Sequence, residues 1–257
     1  MEIAEYDLRI AEKLAEAYIA SGKRDDYIGE YEQLTTDNYA YPTNHFILGI
    51  LQLDKANSFE YDNQRRRVYP DAIESFAITI AFGADEALSR YYLGKAYYMD
   101  YMWGAYWSPA VRHLDRYSNS IEHFEKAIEL DPGFFLPYQE LASIHLVMGN
   151  MERALKVLEA AVSAMPDNEK AIYWLGHFNY VAGNYEDAVS FGLHATQIDS
   201  KDPYAYGILG LAYEKLGERL LAIAMLRQGF NLGLPRAWDW YGLDYRDTLN
   251  KLTGLSY

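Results

Sequence analysis

The residues best suited to binding a metal or to acid–base catalysis are six histidines, but their spacing supports neither role. No two of them have the H-E-x-x-H spacing that places a pair of imidazoles on one helix face around zinc. The chain has no cysteine, which excludes thiolate ligands, a thiol nucleophile and disulfides. We therefore expect no metal site. The histidines are His45, His113, His123, His145, His177 and His194.

Other catalytic patterns are also missing from the sequence. It contains no glycine-rich phosphate loop, no G-x-S-x-G nucleophile motif and no EF-hand loop. The acidic pairs Asp25-Asp26 and Glu186-Asp187 stand where helices are predicted to begin, and carboxylates there complement the helix dipole. We expect no catalytic residue, no cofactor and no enzymatic activity.

The aromatic content points to recognition instead. The chain has 25 Tyr, 10 Phe and 5 Trp, and these rings make up 16% of the residues. Tyrosine and tryptophan combine a large apolar ring with one polar atom, which suits surfaces that are partly buried and partly wet. Such rings are common anchors in protein interfaces.

Composition and charge narrow the class of partner. Half of the residues are apolar, 23% are charged and the net charge is −14, which fits a folded domain that repels nucleic acid.

No stretch reaches the roughly 18 apolar residues that a membrane span needs. The acidic N-terminus does not resemble a secretory signal. We expect a cytoplasmic protein, and a periplasmic location stays open if a leader was removed.

An internal repeat of 34 residues defines the elements that position these side chains. Three sets of residues recur at this period in the second half of the chain: a leucine followed by a small residue, then a glycine, then an alanine. The leucine sites are Leu141, Leu175 and Leu209, the glycine sites are Gly149, Gly183 and Gly217, and the alanine sites are Ala154, Ala188 and Ala222.

This pattern resembles the tetratricopeptide repeat, in which a Trp-x-x-Leu-Gly-x-x-Tyr helix is followed by an Ala-x-x-x-Phe helix and a closing proline. Position seven is leucine in every unit, although Gln52, His145 and Asn179 replace the usual tyrosine and Gly192 replaces the large residue of a second helix. Repeats begin at Leu8, Pro42, Ala87, Phe135, Glu169 and Pro203, and a closing helix begins near Ala237.

The resemblance implies an all-α fold: a right-handed superhelix of antiparallel helix pairs, with six repeats and a C-terminal capping helix, forming a single domain over residues 1–257. At about 100° per residue, positions four, seven, eight and eleven of each first helix share one face. We expect that face to be buried. Positions two, five, six, nine, twelve and thirteen share the opposite face and can line a groove.

Two repeats are longer than the rest. Repeat starts are separated by 34, 45, 48, 34 and 34 residues, so the second and third units carry 11 and 14 extra residues. The first insertion, roughly 54–69, contains Arg65, Arg66 and Arg67, which form either a solvated loop tip or a site for an anion or an acidic partner. The second, roughly 100–115, either lengthens the first helix or docks a partner through Trp103, Tyr106 and Trp107.

Tetratricopeptide proteins generally bind a peptide or protein along the face of their first helices, so the resemblance implies the same here. The carboxylate clamp of the chaperone-binding members is not reproduced, because its five positions hold Tyr91, Lys95, Glu140, Lys170 and Trp174. Capture of an acidic chaperone tail is therefore disfavoured.

The predicted groove is instead rich in rings, each of which either contacts a ligand or fills space between helices. We expect a noncatalytic scaffold for an apolar, aromatic or basic protein segment. The candidate groove residues are Tyr91, Tyr92, Lys95, Tyr98, Gln139, Tyr173, Trp174, His177, Tyr180, Tyr204, Trp238 and Tyr241.

Two alternatives remain open from the sequence. In the first, the chain is a self-assembling subunit that docks a second copy through the aromatic insertion or through the closing helix, which carries Trp238, Trp240, Tyr241 and Tyr245. In the second, it is a chaperone-like adaptor for secretion or pilus assembly. Charge adds one further expectation, since residues 1–134 hold 13 basic and 23 acidic side chains, a net charge of −10. That excess is either a solvated surface or a preference for basic partners.

Overall fold

The computed structural model describes residues 7–59, 62–84, 86–107, 114–235 and 244–254. Within these ranges the chain forms thirteen α-helices and no β-strand, which confirms the all-α prediction. The helices are α1 Leu8–Ala20, α2 Arg24–Asp37, α3 Pro42–Ser58, α4 Asp62–Ala81, α5 Ala87–Trp107, α6 Leu114–Leu130, α7 Phe135–Val147, α8 Met151–Ala164, α9 Glu169–Ala182, α10 Tyr185–Ile198, α11 Pro203–Lys215, α12 Arg219–Asn231 and α13 Tyr245–Thr253.

The odd-numbered helices from α1 to α11 begin at the six residues that the sequence pattern marked as repeat starts. Contacts divide the chain into two compact units, Met1–Glu140 and Leu141–Tyr257, and the boundary falls within α7. The single domain over 1–257, its superhelical course and the number of repeats stay predictions.

The core of the first unit surrounds α3. This helix buries residues on all sides, including Phe46 and Leu51, because α1, α2 and α4 pack around it. Helix α1 contributes Leu8, Ala11 and Ala15, which are spaced to lie on one helical face.

The expectation that every position-seven leucine is buried is wrong for Leu14, which is 38% exposed. The corresponding Leu175 of α9 is 2% exposed. Helix α1 instead turns Leu8, Ala11 and Ala15 into the core, and no helix of the described chain precedes it to cover the side that carries Leu14.

In the second unit, small residues bring paired helices close together as the repeat pattern predicted. A Cβ atom on Gly176 would lie 3.2 Å from the Cβ of Phe191 on α10, and one on Gly210 would collide with Leu226 on α12. The unusual Gly192 has a similar explanation. A Cβ there would lie 2.8 Å from Leu209 Cγ, so the leucine of the next repeat occupies the space that a larger residue would fill.

Asn179, which replaces the usual tyrosine, forms hydrogen bonds at the turn between α9 and α10. Its side-chain amide donates to the Leu175 carbonyl at 2.9 Å, and its oxygen accepts from Asn184 Nδ2 at 3.1 Å. Between them, Gly183 has a φ of 88°, a left-handed conformation that glycine adopts without a Cβ penalty.

The insertions lengthen the helices of the second and third pairs. Helices α3 and α4 have 17 and 20 residues and α5 has 21, whereas α11 and α12 have 13 each. Arg65, Arg66 and Arg67 therefore lie on α4, and the loop-tip interpretation is wrong. Helix α5 continues through Trp107, as the alternative of a lengthened first helix required.

Helix α13 packs against α11 and α12. Tyr245 is 1% exposed, and its ring lies where Gly207 leaves room, since a Cβ on that glycine would be 2.8 Å from Tyr245 Cε1. Arg219 Nε donates to the Leu252 carbonyl at 3.0 Å and so ties α12 to the end of α13. The predicted helix start near Ala237 lies outside the described residues.

Candidate functional site

A cluster of aromatic side chains joins α9 to α11 in the second unit. Tyr173 and Trp174 are half-buried neighbours on α9, and Tyr204, in the first turn of α11, is 40% exposed. The Tyr173 and Tyr204 ring centroids are 5.9 Å apart in an edge-to-face arrangement. This geometry suits the charge distribution of aromatic rings and leaves part of each ring accessible.

The buried His177 packs against the rings of both Tyr173 and Trp174. Its ring stacks on Trp174, with centroids 5.8 Å apart and planes 7° from parallel. Its Nδ1 atom lies 3.3 Å from the Tyr173 hydroxyl. Because His177 is 1% exposed, it fixes the two rings in place and offers little surface of its own.

Helix capping fixes where the rings lie. The Asn168 side chain accepts a hydrogen bond from the backbone N–H of Ala171 at the start of α9. At the start of α11, Asp202 accepts from the N–H groups of Tyr204 and Ala205. Capping of this kind satisfies N–H groups that have no partner within the helix and stabilises the first turn.

These elements enclose a cleft of about 270 Å³ with charges of both signs at its edge. Burial raises the pKa of the Asp202 carboxyl, and the two N–H groups that it caps oppose this shift. Lys170 and Lys201 are exposed and form no ion pair within the described part of the chain. The cleft therefore combines ring surfaces with polar groups that are free to pair with a ligand. Its lining includes Lys170, Tyr173, Asp199, Lys201, Asp202 and Tyr204.

The candidates of the first unit form a more closed cluster. Tyr91 is 4% exposed and is covered by Phe134, with ring centroids 5.3 Å apart. The Lys95 ammonium lies 5.6 Å from the Tyr91 ring centroid. Burial raises the pKa of Glu140, and the charge of Lys95 opposes that shift. Here the rings act mainly as packing.

A cleft of about 590 Å³ lies between α2, α3 and α4, outside the predicted groove. Carboxylates from α2 and α4 line it, together with polar side chains of α3. None of these residues belongs to the aromatic set. The residues with acidic or imidazole side chains are Glu32, His45, Asp71 and Glu74.

Comparison with protein families accounts for the helix pairs. Models described as "Tetratricopeptide repeat" match residues 148–212 in one case and residues 112–134 and 203–232 in the other. Residues 148–232 carry the 34-residue pattern and fold into α8 to α12. The chain is a tetratricopeptide repeat protein.

Similar proteins come from distant sources. Over 221 residues the chain is 25% identical to "Protein CTR9 homolog" of Arabidopsis thaliana, a match that covers 82% of this chain and only 19% of that protein. The structure of the C-terminal part of a TPR repeat-containing protein from Cytophaga hutchinsonii has a TM-score of 0.65 at 16% identity, covering 96% of this chain and 84% of that one. The structure of Pseudomonas aeruginosa PilF has a TM-score of 0.61 at 12% identity and covers 96% of each chain. The two structural matches show a shared fold.

The structure brings together some of the residues that the sequence of this tetratricopeptide repeat protein singled out. Tyr173, Trp174, His177 and Tyr204 form one cluster, and Tyr91, Tyr92 and Lys95 lie in another. Tyr98, Gln139 and Tyr180 are half-buried, and Tyr180 pairs with Tyr185 at a centroid distance of 5.7 Å.

Other predicted site residues cannot be placed in this way. Trp238 and Tyr241 lie outside the described residues, and the side chains of Trp103, Tyr106 and Trp107 also lie outside what the structure describes. Tyr245 is buried against α11, so the expectation that this residue docks a second copy is wrong.

The sequence did not single out the acidic cleft. The net charge of −10 over residues 1–134 indicated an acidic surface, but Glu32, Asp71 and Glu74 come from two separate helices and share no spacing. Among the described residues there is no group of three or more His, Asp or Glu side chains arranged to hold a metal ion. In the same residues no helix has the length and apolar character required to cross a membrane.

Proposed function

We propose that this tetratricopeptide protein is a noncatalytic scaffold that binds a segment of a partner protein across the rings at the start of α9 and α11. The observation that carries the proposal is the cleft in which the Tyr173 and Tyr204 rings meet beside Lys170, Lys201 and Asp202. Protein interaction is the property common to tetratricopeptide scaffolds, and the specific surface is our proposal.

The arrangement supports binding because the rings are already ordered before a ligand arrives. His177 holds Trp174 by stacking and lies beside the Tyr173 hydroxyl, so little side-chain freedom remains to be lost. Rings held in this way provide large contact areas at low entropic cost, and Tyr and Trp are frequent hot-spot residues.

The polar rim defines which segment fits. Exposed Lys170 and Lys201 can pair with a ligand carboxylate or backbone carbonyl, while Asp199 and Asp202 can accept hydrogen bonds from backbone N–H groups. We expect an extended segment with an apolar or aromatic residue packed against the accessible surfaces of Tyr173 and Tyr204. In this proposal most of the binding free energy comes from contacts with the rings, so the affinity should change little with salt concentration.

The test uses peptides selected from a random 12-residue library on the immobilised full chain and then synthesised with a fluorescent label. Replacing Tyr173 or Tyr204 with alanine should weaken binding by on the order of 2 kcal/mol, about thirtyfold, as measured by fluorescence anisotropy. The matched control is Tyr206→Ala, which removes the same ring from α11 at a position that does not line the cleft.

Two results would count against this site. Selected peptides that bind Tyr173→Ala and Tyr204→Ala as tightly as the wild type would exclude the cleft. Equal weakening by Tyr206→Ala would show that loss of packing in α11, and not loss of a contact, explains the effect. Circular dichroism on each variant checks that helical content is kept.

Self-assembly remains a second candidate because the first turn of α12 exposes two leucines. Leu220 is 82% exposed and its neighbour Leu221 is 43% exposed. Sedimentation over a range of concentrations, on the wild type and on Leu220→Ser, measures this directly. A stable dimer that the serine variant loses would favour assembly through α12.

A further inference from the structure

The first helix exposes apolar side chains on a face that the later repeats bury. Ile10, Leu14 and Ala17 occupy positions three, seven and ten of α1, a spacing that places them on one helix face. Ile10 is 64% exposed, Leu14 is 38% exposed and Ala17 is also exposed. In the five later repeats the position-seven leucines are at most 5% exposed, and the residues at position ten are fully buried. These position-ten residues are Leu51, Ala96, Ile144, Phe178 and Ala212.

The second unit shows what covers this face in a later repeat. Helix α10, the second helix of one repeat, packs antiparallel on α11, the first helix of the next. A Cβ atom on Gly192 would lie 2.8 Å from Leu209 Cγ, so only glycine fits opposite that leucine. Small residues continue along α10 on both sides of this contact. The residues that pack together are Ala188 with Ala212, Gly192 with Leu209, and Ala195 with Ala205.

No described helix takes the corresponding place beside α1. Helix α13, which covers α11 and α12 in the second unit, has the opposite character. It buries Tyr245 and Leu249 and turns the charged residues Asp247 and Lys251 to solvent. A terminal helix of a repeat array usually has such a polar outer face, because solvent replaces the missing neighbour. The outer face of α1 is apolar instead, like that of a helix with a neighbour.

The surface beside this face of α1 is acidic. Tyr27 of α2 stacks on Tyr18 of α1 with ring centroids 3.7 Å apart, which joins the two helices. Glu30 lies about one turn beyond Tyr27, and Asp37 ends α2. Both carboxylates are exposed, and neither forms an ion pair within the ranges that the structure describes. The opposite edge of the face carries Lys13. A helix docked on α1 would therefore meet a negative potential on the side of α2.

We propose that the face of α1 formed by Ile10, Leu14 and Ala17 is the docking site for an amphipathic helix of a partner protein. This helix takes the place beside α1 that α10 takes beside α11, and it runs antiparallel to α1. It has glycine or alanine opposite Leu14 and further small residues four positions before and three positions after. Along the edge that faces α2 it carries lysine or arginine. Binding then removes the exposed parts of Ile10 and Leu14 from water.

A second copy of this chain matches these requirements less well. The outer face of α13 is charged, so it does not offer the small apolar residues that the position beside α1 requires. Two α1 helices packed on each other would place leucine against leucine, whereas the interface between α10 and α11 places leucine against glycine. The site lies on the first repeat, and it does not depend on the ring cleft of α9 and α11 proposed above.

The experiment measures binding of a synthetic helix to the full chain by fluorescence anisotropy. The probe is a labelled peptide of about 15 residues, stapled because a free helix of that length is marginal in water. It has alanine, glycine and alanine at the spacing found on α10, and lysines along the edge that would face α2. We expect saturable binding that Leu14→Gln weakens by about tenfold or more, since a polar side chain then occupies the centre of the contact. The matched control is Leu220→Gln, which changes an exposed leucine of α12.

Two altered probes test the chemistry of the partner helix. Leucine in place of the central glycine should weaken binding by about tenfold, because it would collide with Leu14. Glutamates in place of the lysines should also weaken binding, most strongly at low salt. Equal binding of the leucine probe would contradict the proposed packing, and equal binding of the glutamate probe would contradict the basic character of the partner.

Further results decide whether this face is the site. Binding that does not saturate, or that Leu14→Gln leaves unchanged, would exclude the face. Equal weakening by Leu220→Gln would show that the probe adheres to any exposed leucine. Sedimentation of the chain alone supplies another outcome, since a dimer that Leu14→Gln dissociates would make a second copy the occupant and overturn the proposal.

Folding of the variants is checked by thermal melts. Leu14 is only partly buried and Ile10 is mostly exposed, so we expect Leu14→Gln and Ile10→Gln to melt close to the wild type. Ile10→Gln tests the same face at the more exposed position and should also weaken binding of the probe. The variant Tyr173→Ala should bind the probe normally, which keeps a failure here distinct from a failure of the ring cleft.

Discussion

The Tyr92 hydroxyl donates a hydrogen bond to the Glu12 carboxylate at 2.7 Å, and this contact joins α5 directly to α1. The ring of Tyr92 stacks on Phe76 and meets Phe46 edge to face, with centroids 5.6 Å and 5.5 Å away. A residue that its position in the repeat assigns to the groove thus holds the first helix in place. Its main role in the structure is packing.

We expect Tyr92→Phe to lower the free energy of unfolding by about 1–2 kcal/mol, because a hydrogen bond to a charged acceptor is lost while the ring remains. Glu12→Gln should have a smaller effect, since an amide oxygen can still accept from the hydroxyl. Urea unfolding followed by circular dichroism measures both. The control is Tyr97→Phe, whose hydroxyl has no hydrogen-bond partner among the described residues. A Tyr92→Phe protein as stable as the wild type would show that water replaces this bond at no cost.

The sequence predicted the helix pairs well, because their signal is local and repeated. A leucine followed by a small residue recurs at one position, and the close approach that this spacing requires appears at Gly176 and Gly210. Periodicity also separates the two faces of a helix. It does not predict how fully a neighbour covers a face, and so Tyr91 and His177 are buried where the pattern suggested open groove.

The acidic cleft could not be predicted for a related reason. Glu32 and Asp71 are separated by 39 positions in the sequence, and their proximity depends on how α2 and α4 pack on α3. A local pattern contains no information about that packing. The exposure of Leu14 has the same origin, since it depends on the absence of a covering helix among the described elements.

Truncating two leucines that hold the same position in their repeats should show that burial, and not position in the repeat, determines how much stability is lost. Leu175→Ala should cost about 2–5 kcal/mol, because the side chain is 2% exposed and its removal leaves a cavity. Leu14→Ala, at the same position of the first repeat but 38% exposed, should cost less than about 1 kcal/mol. Guanidinium unfolding of the two variants gives the difference. Equal losses would mean that Leu14 is buried in solution.

Two glycines in equivalent positions should respond differently to an added methyl group. A Cβ at Gly210 would collide with Leu226, which is fully buried and cannot move aside, so we expect Gly210→Ala to destabilise by about 1–3 kcal/mol. At Gly176 the nearest atom would be 3.2 Å away and the next two 3.7 Å away. The better helix propensity of alanine then offsets mild crowding, and Gly176→Ala should lie within about 1 kcal/mol of the wild type. Thermal melts compare the two, and the reverse order would contradict the packing described for α11 and α12.

Replacing Asp71 with asparagine should stabilise the protein at neutral pH and have little effect in acid. Burial and the charges of Glu74 and Glu32 raise the pKa of this carboxyl in the folded state, so the folded protein holds the proton more tightly than the unfolded chain does. The stability that protonation supplies is complete below the ordinary aspartate pKa of about 3.9 and is lost as the pH rises through the raised folded value. Asparagine resembles the protonated form at every pH. The advantage of Asp71→Asn over the wild type should therefore grow across that interval and then level off.

Urea unfolding at a series of pH values measures this difference in stability, with Asp71→Glu as the control that keeps the charge and should keep the pH dependence. An asparagine variant less stable than the wild type at neutral pH would mean that the carboxylate has a stabilising partner in the folded protein.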